Sequence, residues 1–137
     1  MKKLLRIFAL IALLTAMPAY AAKNPGSKVG VEFTDTSFDF GTVSEDKGYV
    51  VHEYTFDNTG DGAVAIVSVV ASCGCTRPEY TRKPVAQGKT GKIKVTFNTR
   101  GQKGEVNKDI KVRLRSADGK SERVTLHLNG VVVPKTE

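Results

Sequence analysis

Apolar and polar residues alternate with a period of two along most of the chain after residue 30, and turn residues interrupt the alternation at short intervals. A period of two places successive side chains on opposite faces of a β-strand. The alternation predicts strands near residues 38–43, 50–56, 92–97, 110–115 and 124–128, with Val131-Val132-Val133 as the last strand. Residues 63–71 are almost wholly apolar and rich in valine, which indicates a strand covered on both sides or at the core of a sandwich.

Clusters of turn-forming residues separate these segments. Asn58-Thr59-Gly60-Asp61-Gly62 predicts a turn, and Asp118-Gly119 predicts a β-hairpin. About seven strands in about 110 residues, with no amphipathic helix among them, indicate an all-β fold: an antiparallel two-sheet immunoglobulin-like β-sandwich. A small barrel is the competing all-β arrangement. The chain has no tryptophan, and its cysteines are too close to bridge opposite sheets, so we expect a core of aliphatic, Phe and Tyr side chains.

The N-terminal segment differs from the rest of the chain. Lys2, Lys3 and Arg6 precede a short apolar run at residues 7–14, and Ala19-Tyr20-Ala21 forms a small-x-small cleavage pattern. The run is short for a bilayer span, which needs about 20 residues, so we predict a cleaved signal peptide over residues 1–22 rather than an uncleaved anchor. Cleavage after Ala21 or after Ala22 fits the pattern equally. The prediction continues with a flexible lead-in at residues 23–30 and one immunoglobulin-like domain at residues 31–137, periplasmic or secreted, with no membrane span after cleavage.

The charge of the chain is moderately basic. The sequence has 21 basic and 14 acidic residues, and removal of the signal leaves 18 basic against 14 acidic residues, a net charge of +4. The basic residues are interleaved with acidic ones, which argues against nucleic-acid binding. One concentration stands out, and it comprises Lys89, Lys92, Lys94, Arg100, Lys103, Lys108, Lys111, Arg113 and Arg115. Their alternating positions predict a solvated sheet face; the alternative is a surface that docks an anionic polysaccharide, a lipid head group or an acidic partner.

The only two cysteines are Cys73 and Cys75, which are separated by one glycine. In an extended strand their Cα atoms would be about 7 Å apart, near the upper limit for a disulfide, so a bridge requires a tight turn that Gly74 can form. The small ring would be strained and easier to reduce, and it would add little stability because the entropic gain grows with loop length. Export to an oxidising compartment favours this disulfide.

Two other interpretations of the cysteine pair remain open. Two thiolates suit copper(I), but further soft ligands are scarce, because no methionine remains once the signal peptide is removed. His52 shares the strand parity of Tyr54 and Phe56 and is expected at the edge of the core, whereas His127 has the parity of the polar face. Alternatively, both cysteines stay free and pack as small apolar side chains. No other metal or cofactor site is predicted.

Several motifs follow one another in order along the chain. They are Phe38-x-Phe40-Gly41-x-Val43, Tyr54-x-Phe56-x-Asn58-Thr59-Gly60, Ser72-Cys73-Gly74-Cys75-Thr76-x-Pro78, Pro84, Gly88, Gly91-Lys92-Ile93-x-Val95-x-Phe97 and Gly101. This series resembles the bacterial family called domain of unknown function 1573 over roughly residues 33–133. The first two motifs are also found in Hydin-like and major-sperm-protein-like domains, whereas Cys-Gly-Cys-Thr distinguishes the family. The resemblance implies an exported immunoglobulin-like domain and no established biochemical activity.

The sequence contains no motif of a hydrolase or a nucleotide-binding enzyme, such as Gly-x-Ser-x-Gly, His-Glu-x-x-His or a phosphate-binding glycine loop. We therefore expect a non-enzymatic module that binds a protein or a cell-envelope component. The expected contact region is a loop over residues 76–89, where an aromatic residue lies among cations: Arg77, Tyr80, Arg82 and Lys83. An ordinary crossover between sheets is the alternative. The competing function is a periplasmic thiol/disulfide or copper(I)-handling protein that acts through Cys73 and Cys75.

Overall fold

The computed structural model describes residues 27–136, so the predicted signal peptide and the first half of the predicted lead-in, residues 23–26, lie outside the described residues. Eight strands and one short 3-10 helix, Glu45–Lys47, make up the regular structure of that part. The strands are β1 Val31–Phe33, β2 Ser37–Ser44, β3 Tyr49–Asn58, β4 Val64–Ala71, β5 Thr76–Tyr80, β6 Thr90–Asn98, β7 Gly104–Ser116 and β8 Ser121–Val133. No helix between residues 27 and 136 has the length and apolar character needed to cross a membrane.

The strands form two four-stranded sheets packed against each other. The first sheet has the order β1-β3-β6-β5, and the second has the order β2-β8-β7-β4. The predicted two-sheet sandwich is therefore confirmed, with eight strands where the pattern gave about seven. Strands β1 and β5 were not predicted, and residues 124–133, which the pattern divides into two strands, belong to the single strand β8.

One pairing departs from the antiparallel prediction. Strand β2 runs parallel to β8, with Ser37 opposite His127 and a register shift between Asp39 and Thr42. The other pairings are antiparallel. A period of two reports which side chains share a face, but it carries no information about the direction of the neighbouring strand, so the parallel pair could not be read from the alternation.

The core between the sheets consists of the apolar residues that the alternation placed on one face of each strand. The fully buried side chains include Tyr54, Phe56, Ile93, Val95, Phe97, Ile110, Leu114, Leu126 and Leu128. Each large apolar side chain buried in this way contributes about 1.5–3 kcal/mol relative to the exposed state. The intervening residues of β6 and β7, such as Lys94 and Lys111, are exposed. The predicted core of aliphatic, Phe and Tyr side chains is what the structure contains.

The basic residues predicted to share one solvated sheet face lie on two opposite faces instead. Lys92 and Lys94 of β6 point outward from the first sheet, whereas Lys111, Arg113 and Arg115 of β7 point outward from the second. The alternation was correct within each strand, but it does not report to which sheet a strand belongs. The basic concentration in the sequence is therefore not one surface.

Two aromatic rings lie directly on glycines, one in each sheet. The ring of Phe56 covers Gly91 and the ring of Phe40 covers Gly130, and in both places a Cβ atom would overlap the ring. Phe56 is fully buried, whereas Phe40 is only partly buried at the margin of the core. These glycines allow the ring to approach the neighbouring backbone closely.

A hydrogen bond from a buried phenol joins the two sheets. The hydroxyl of Tyr54 in β3 donates to the carbonyl of His127 in β8 over 2.6 Å. Burial of the phenol raises the pKa of Tyr54 well above its usual value, and the negative charge of Asp35 raises it further. His52 stacks on Phe38 at 3.8 Å between ring centroids and donates from Nε2 to Asp35 over 2.9 Å. His52 thus lies at the core edge, as its parity indicated.

Strand β5 forms one edge of the first sheet, and a proline lies in its middle. The amide of Asn98 donates to the carbonyl of Cys75, and the amide of Thr81 donates to the carbonyl of Lys92. Cys75 and Thr81 are thus bonded to β6, and every second residue between them is oriented in the same way. Pro78, which lies opposite Val95, is at one of the alternate positions, so its backbone points away from β6. Proline has no N–H group to donate, and edge strands tolerate it for that reason.

Candidate functional site at the cysteine turn

The two cysteines lie in the turn that carries the chain from the second sheet to the first. Residues 72–75 connect β4 to β5, and the amide of Thr76 donates to the carbonyl of Cys73 over 3.2 Å, which closes the turn. The amide of Ser72 donates to the carbonyl of Asp109 in β7 over 2.9 Å, and the amide of Asn98 in β6 donates to the carbonyl of Cys75 over 2.8 Å. The turn is therefore anchored to both sheets.

The turn brings the two sulfur atoms into bonding contact. The Cα atoms of Cys73 and Cys75 are 5.3 Å apart, within the range of about 4.4–6.8 Å that disulfides span. Both side chains are partly buried, and Cys75 packs against the core. The amide of Cys75 donates to Sγ of Cys73 over 3.1 Å. The close pairing that the sequence predicted is thus formed within a fixed backbone.

Gly74 does not have the role that the sequence suggested for it. Its φ angle is not positive, and no atom lies within 4 Å of the position that its Cβ would occupy. The tight turn uses backbone angles that other residues also adopt, so glycine is not required here on conformational grounds. Gly74 is exposed and presents bare backbone next to the two sulfur atoms.

The residues expected to form a contact loop do not form one surface. Thr76–Tyr80 is strand β5, and two hydrogen bonds between Val64 and Val85 fix the following segment to β4. Arg77 points outward beside the cysteine turn, whereas Tyr80 has the opposite parity and packs against the core. Arg82 lies over the Tyr80 ring at 4.1 Å and donates to its hydroxyl over 3.0 Å, and Lys83 is exposed in the loop beyond. Because residues 76–80 form a strand, which the sequence pattern did not indicate, successive side chains point to opposite faces. The expected contact residues are therefore divided between different surfaces.

The structure instead groups the cysteine turn with two exposed apolar residues of β3. Tyr49 and Val51 are 53% and 52% exposed, and with Gly74, Cys75 and Arg77 they border an open depression on the outer side of the first sheet. We refer to these five residues as the cysteine face. Strand register explains the grouping, because Tyr49 is opposite Asn98, Val51 is opposite Thr96, and Thr96 is opposite Arg77.

Tyr49 and Val51 were not singled out from the sequence, although a signal for them was present. Tyr54 and Phe56 fix the inward parity of β3, and Val50 shares that parity. Val51 is therefore an apolar residue at a position where an alternating strand places polar ones. Together with the adjacent Tyr49, Val51 forms an apolar area on the outer side of the first sheet, and contiguous apolar area of this kind is what marks a surface for attention.

The two histidines are each bound to a carboxylate. Besides the His52–Asp35 pair, Nδ1 of His127 donates to Asp109 over 2.8 Å, and both side chains are about half exposed. Ser37 lies opposite His127, but no side-chain hydrogen bond joins a serine, threonine or cysteine to either imidazole between residues 27 and 136. In that range no three His, Cys, Asp or Glu side chains are grouped so as to hold a metal ion.

The sandwich has an immunoglobulin-like fold, and PapD-like domains are among the structures that it resembles. The ASH/PapD-like domain 7 of human CEP192 superimposes with a TM-score of 0.66 at 15% identity, covering 88% of this chain and 99% of that domain. The VesB protease of Vibrio cholerae gives 0.63 at 17% identity, covering 74% of this chain and 32% of that structure. The YadV chaperone gives 0.53 at 13% identity, covering 78% and 53%. At these identities the similarity is one of fold.

The family follows from the sequence itself. The chain belongs to the family described as Protein of unknown function (DUF1573), whose model matches residues 31–132. The matched segment includes the cysteine turn and all eight strands except the last residue of β8, so the resemblance seen in the sequence motifs is confirmed. No curated protein matches the sequence. The chain spans about a third of the length of the VesB structure. The activity of VesB is therefore not transferred to this chain.

Proposed function

We propose that this chain is an exported, non-enzymatic immunoglobulin-like module that binds a protein partner through the cysteine face, in the periplasm or outside the cell. The observation that carries the proposal is the half-exposed pair Tyr49 and Val51 beside an anchored turn. Exposed apolar groups that are rimmed by polar residues mark protein interaction sites. The PapD-like fold supports a binding role, because such sandwiches commonly present faces and edges to other chains.

The composition of the cysteine face favours a partner segment that carries an apolar side chain and a carboxylate. Tyr49 and Val51 offer apolar area, and Arg77 lies on one side of them. On the other side the Arg100 guanidinium lies 5.8 Å from the centre of the Tyr49 ring. Tyrosine and arginine are enriched among the residues that dominate the energy of protein interfaces. Gly74 leaves room for the partner to approach the backbone of the turn.

A photo-crosslinking experiment tests this proposal. A photoreactive residue at Val51, introduced in the native host, should yield a discrete adduct with one protein, and Tyr49→Asp in the same chain should abolish it. The matched control places the photoreactive residue at Asn107, which is exposed on the other sheet. Equal adducts from both positions, or an adduct that survives Tyr49→Asp, would contradict the assignment of the cysteine face.

A second function is favoured by the contact between the two sulfur atoms. In this hypothesis Cys73 and Cys75 form a disulfide that exchanges with a partner's dithiol. A partner thiolate attacks one of the two sulfur atoms and forms a mixed disulfide, and the other cysteine of this chain leaves as a thiolate. The partner's second thiolate then attacks the mixed disulfide and frees the first cysteine as a thiolate. The partner thereby becomes oxidised to a disulfide and this chain becomes reduced. The reduced pair offers two thiolates, the ligand type that suits copper(I).

Mass measurements separate these possibilities and also test export. The intact mass of protein from the periplasm or medium should correspond to a chain that begins at Ala22 or Lys23, and it should lie about 2 Da below the reduced form if the disulfide is present. The exchange hypothesis requires a mixed disulfide to be trapped with Cys73→Ser or Cys75→Ser. Copper(I) added to the reduced protein under anaerobic conditions should remain bound through gel filtration if copper handling is the role, and should be lost otherwise.

A further inference from the structure

The outer side of the second sheet carries a compact group of cations that the cysteine face lacks. Lys111, Arg113 and Arg115 alternate along β7 and are exposed, and Arg123 of β8 lies directly opposite Arg113. We refer to these four residues as the arginine face. Directly opposed side chains in an antiparallel pair lie about 4.5–5.5 Å apart at Cβ, so two side chains of like charge extend from neighbouring positions here.

No ion pair within residues 27–136 neutralises this charge, although the Glu122 carboxylate lines the same depression as Arg113 and Arg123. The ion pairs there join other residues, and none includes a member of the arginine face. The nearest carboxylates have other partners. Glu122 accepts from the hydroxyl of Ser27 over 2.8 Å and from the amide of Val29 over 3.2 Å, and Asp109 is bound to His127. Lys28 adds a further cation, because it lines the same depression as Arg113 and Arg123.

The surroundings of the arginine face restrict its ligand. Along β7 the next outward residue after Lys111 is Asp109, and Glu105 lies further on, so one half of the sheet is basic and the other half contains acids. A membrane surface would cover both halves and would be repelled by the acids. No Phe or Tyr points outward from this sheet to stack on a sugar ring, since Phe38 and Phe40 pack inward.

An acidic protein segment fits this pattern better. On one side of the cations, Val70 of β4 lies opposite Lys111 and is 60% exposed, and Val67 is 48% exposed. Alternate residues of an extended strand are about 6.6–6.8 Å apart, which is the spacing of Lys111, Arg113 and Arg115 along β7. An extended partner segment has the same spacing between its own alternate side chains, so the two sets match. Arginine binds carboxylates through two parallel hydrogen bonds, which favours it at such positions.

We propose that the arginine face docks an extended protein segment whose Asp or Glu side chains occur at alternate positions and face the sheet, while an adjoining apolar part of the same partner covers Val67 and Val70. The cations of β7 bind successive carboxylates, and Arg123 with Arg113 forms the strongest position because two cationic side chains extend from directly opposed positions there. This surface lies on the opposite side of the sandwich from the cysteine face, so each proposal can fail without the other. A chain with both surfaces would hold two partners at once.

Fluorescence anisotropy with a labelled peptide that alternates Glu and Val tests the docking proposal. The double variant Arg113→Ser/Arg123→Ser should bind this peptide at least about tenfold more weakly, because it loses the charge-assisted hydrogen bonds of two guanidinium groups. The matched control Lys89→Ser/Lys92→Ser removes the same charge from exposed positions on the side of the first sheet and should bind like the unchanged protein. Thermal unfolding of both variants verifies that they are folded.

Two further probes distinguish the protein segment from other anionic ligands. Vesicles rich in phosphatidylglycerol and a sulfated polysaccharide should bind weakly, and both double variants should affect that binding equally, as expected for net charge alone. The proposal is overturned if the two double variants weaken peptide binding equally. It is also overturned if vesicles or polysaccharide bind more tightly than the peptide in a manner that requires Arg113 and Arg123.

Discussion

The two outer faces of the sandwich are built from similar strands but treat charge in opposite ways. On the first sheet Lys94 lies between Glu53 and Glu79 on the neighbouring strands, and Lys92 forms an ion pair with Glu53 at 3.3 Å. On the second sheet Arg113 faces Arg123. The difference arises from register and not from composition, because both faces are rich in lysine and arginine. A surface charge is compensated or left free according to what lies opposite it.

The comparison extends to how each face binds. The cysteine face offers apolar area next to an anchored turn, so we expect contacts there to persist at high salt. The arginine face offers charge on a flat sheet, and its contacts should weaken steeply with ionic strength. The most informative experiments are those that alter one sheet and use the other as the reference.

The largest expected loss of stability comes from the two glycines that are covered by aromatic rings, one in each sheet. Gly91→Ala should destabilise the fold by about 3 kcal/mol, because the Phe56 ring has no space into which to move. Gly130→Ala should cost about 1 kcal/mol, since the partly buried Phe40 ring can shift toward solvent. Urea unfolding measures both, and equal losses would show that the first sheet is no more tightly packed than the second.

The bond between the sheets gives the next effect. Tyr54→Phe should cost about 1–2 kcal/mol at neutral pH, because the carbonyl of His127 loses its partner. The raised pKa of Tyr54 means that the folded protein keeps the phenol proton when the unfolded chain begins to lose it, so this contribution is complete below about pH 10 and declines as the pH rises further. Unfolding from pH 8 to pH 11 should show a steeper decline for the unchanged protein than for Tyr54→Phe, and parallel curves would contradict it.

Charge reversal tests the register argument directly. Arg123→Glu should stabilise the fold by about 1 kcal/mol, because a repulsive cross-strand pair becomes an attractive one. Lys94→Glu should destabilise it by a similar amount, since it places a third carboxylate between Glu53 and Glu79. Both shifts should shrink in 1 M salt. Thermal unfolding is the measurement, and shifts of the same sign would refute the comparison.

The smallest effect concerns the cysteine turn. Gly74→Ala should change stability by less than about 0.5 kcal/mol, because the turn has an ordinary φ and open space at Cβ. Gly88→Ala is the matched control, with open space but a φ of +74°, and it should cost about 1 kcal/mol. Equal costs for the two variants would show that the backbone of the cysteine turn requires glycine after all.

The sequence pattern predicted correctly which side chains of a strand point toward the core, but it did not predict which strands lie side by side. Alternation identified Ile93, Val95 and Phe97 as inward residues because burial repeats along a single strand. Strand β5 was missed since its five residues include Pro78, a residue uncommon in strands. The consequence at the site was that Arg77 and Tyr80 were placed on one surface, although they lie on opposite sides of β5.

The arginine pair illustrates why register is harder to predict than parity. The β7–β8 hairpin turns at the predicted Asp118-Gly119, but the amide of Ser116 donates to the carbonyl of Lys120, which sets Arg113 opposite Arg123. A connection that is one residue shorter would place Val124 opposite Arg113 instead. Such a choice depends on the backbone of the turn, where Gly119 has a φ of +90°, and dipeptide preferences do not determine it.

The proline in β5 has a consequence for assembly. An uncovered sheet edge is a template for the addition of strands from other molecules, and its repeated use leads to polymers. On the side of β5 that points away from β6, Pro78 contributes no donor and the amide of Thr76 is already bound to Cys73. A chain that approached this edge would find carbonyl groups but few amides to complete a ladder. The edge beside the cysteine turn is thereby protected against runaway self-association.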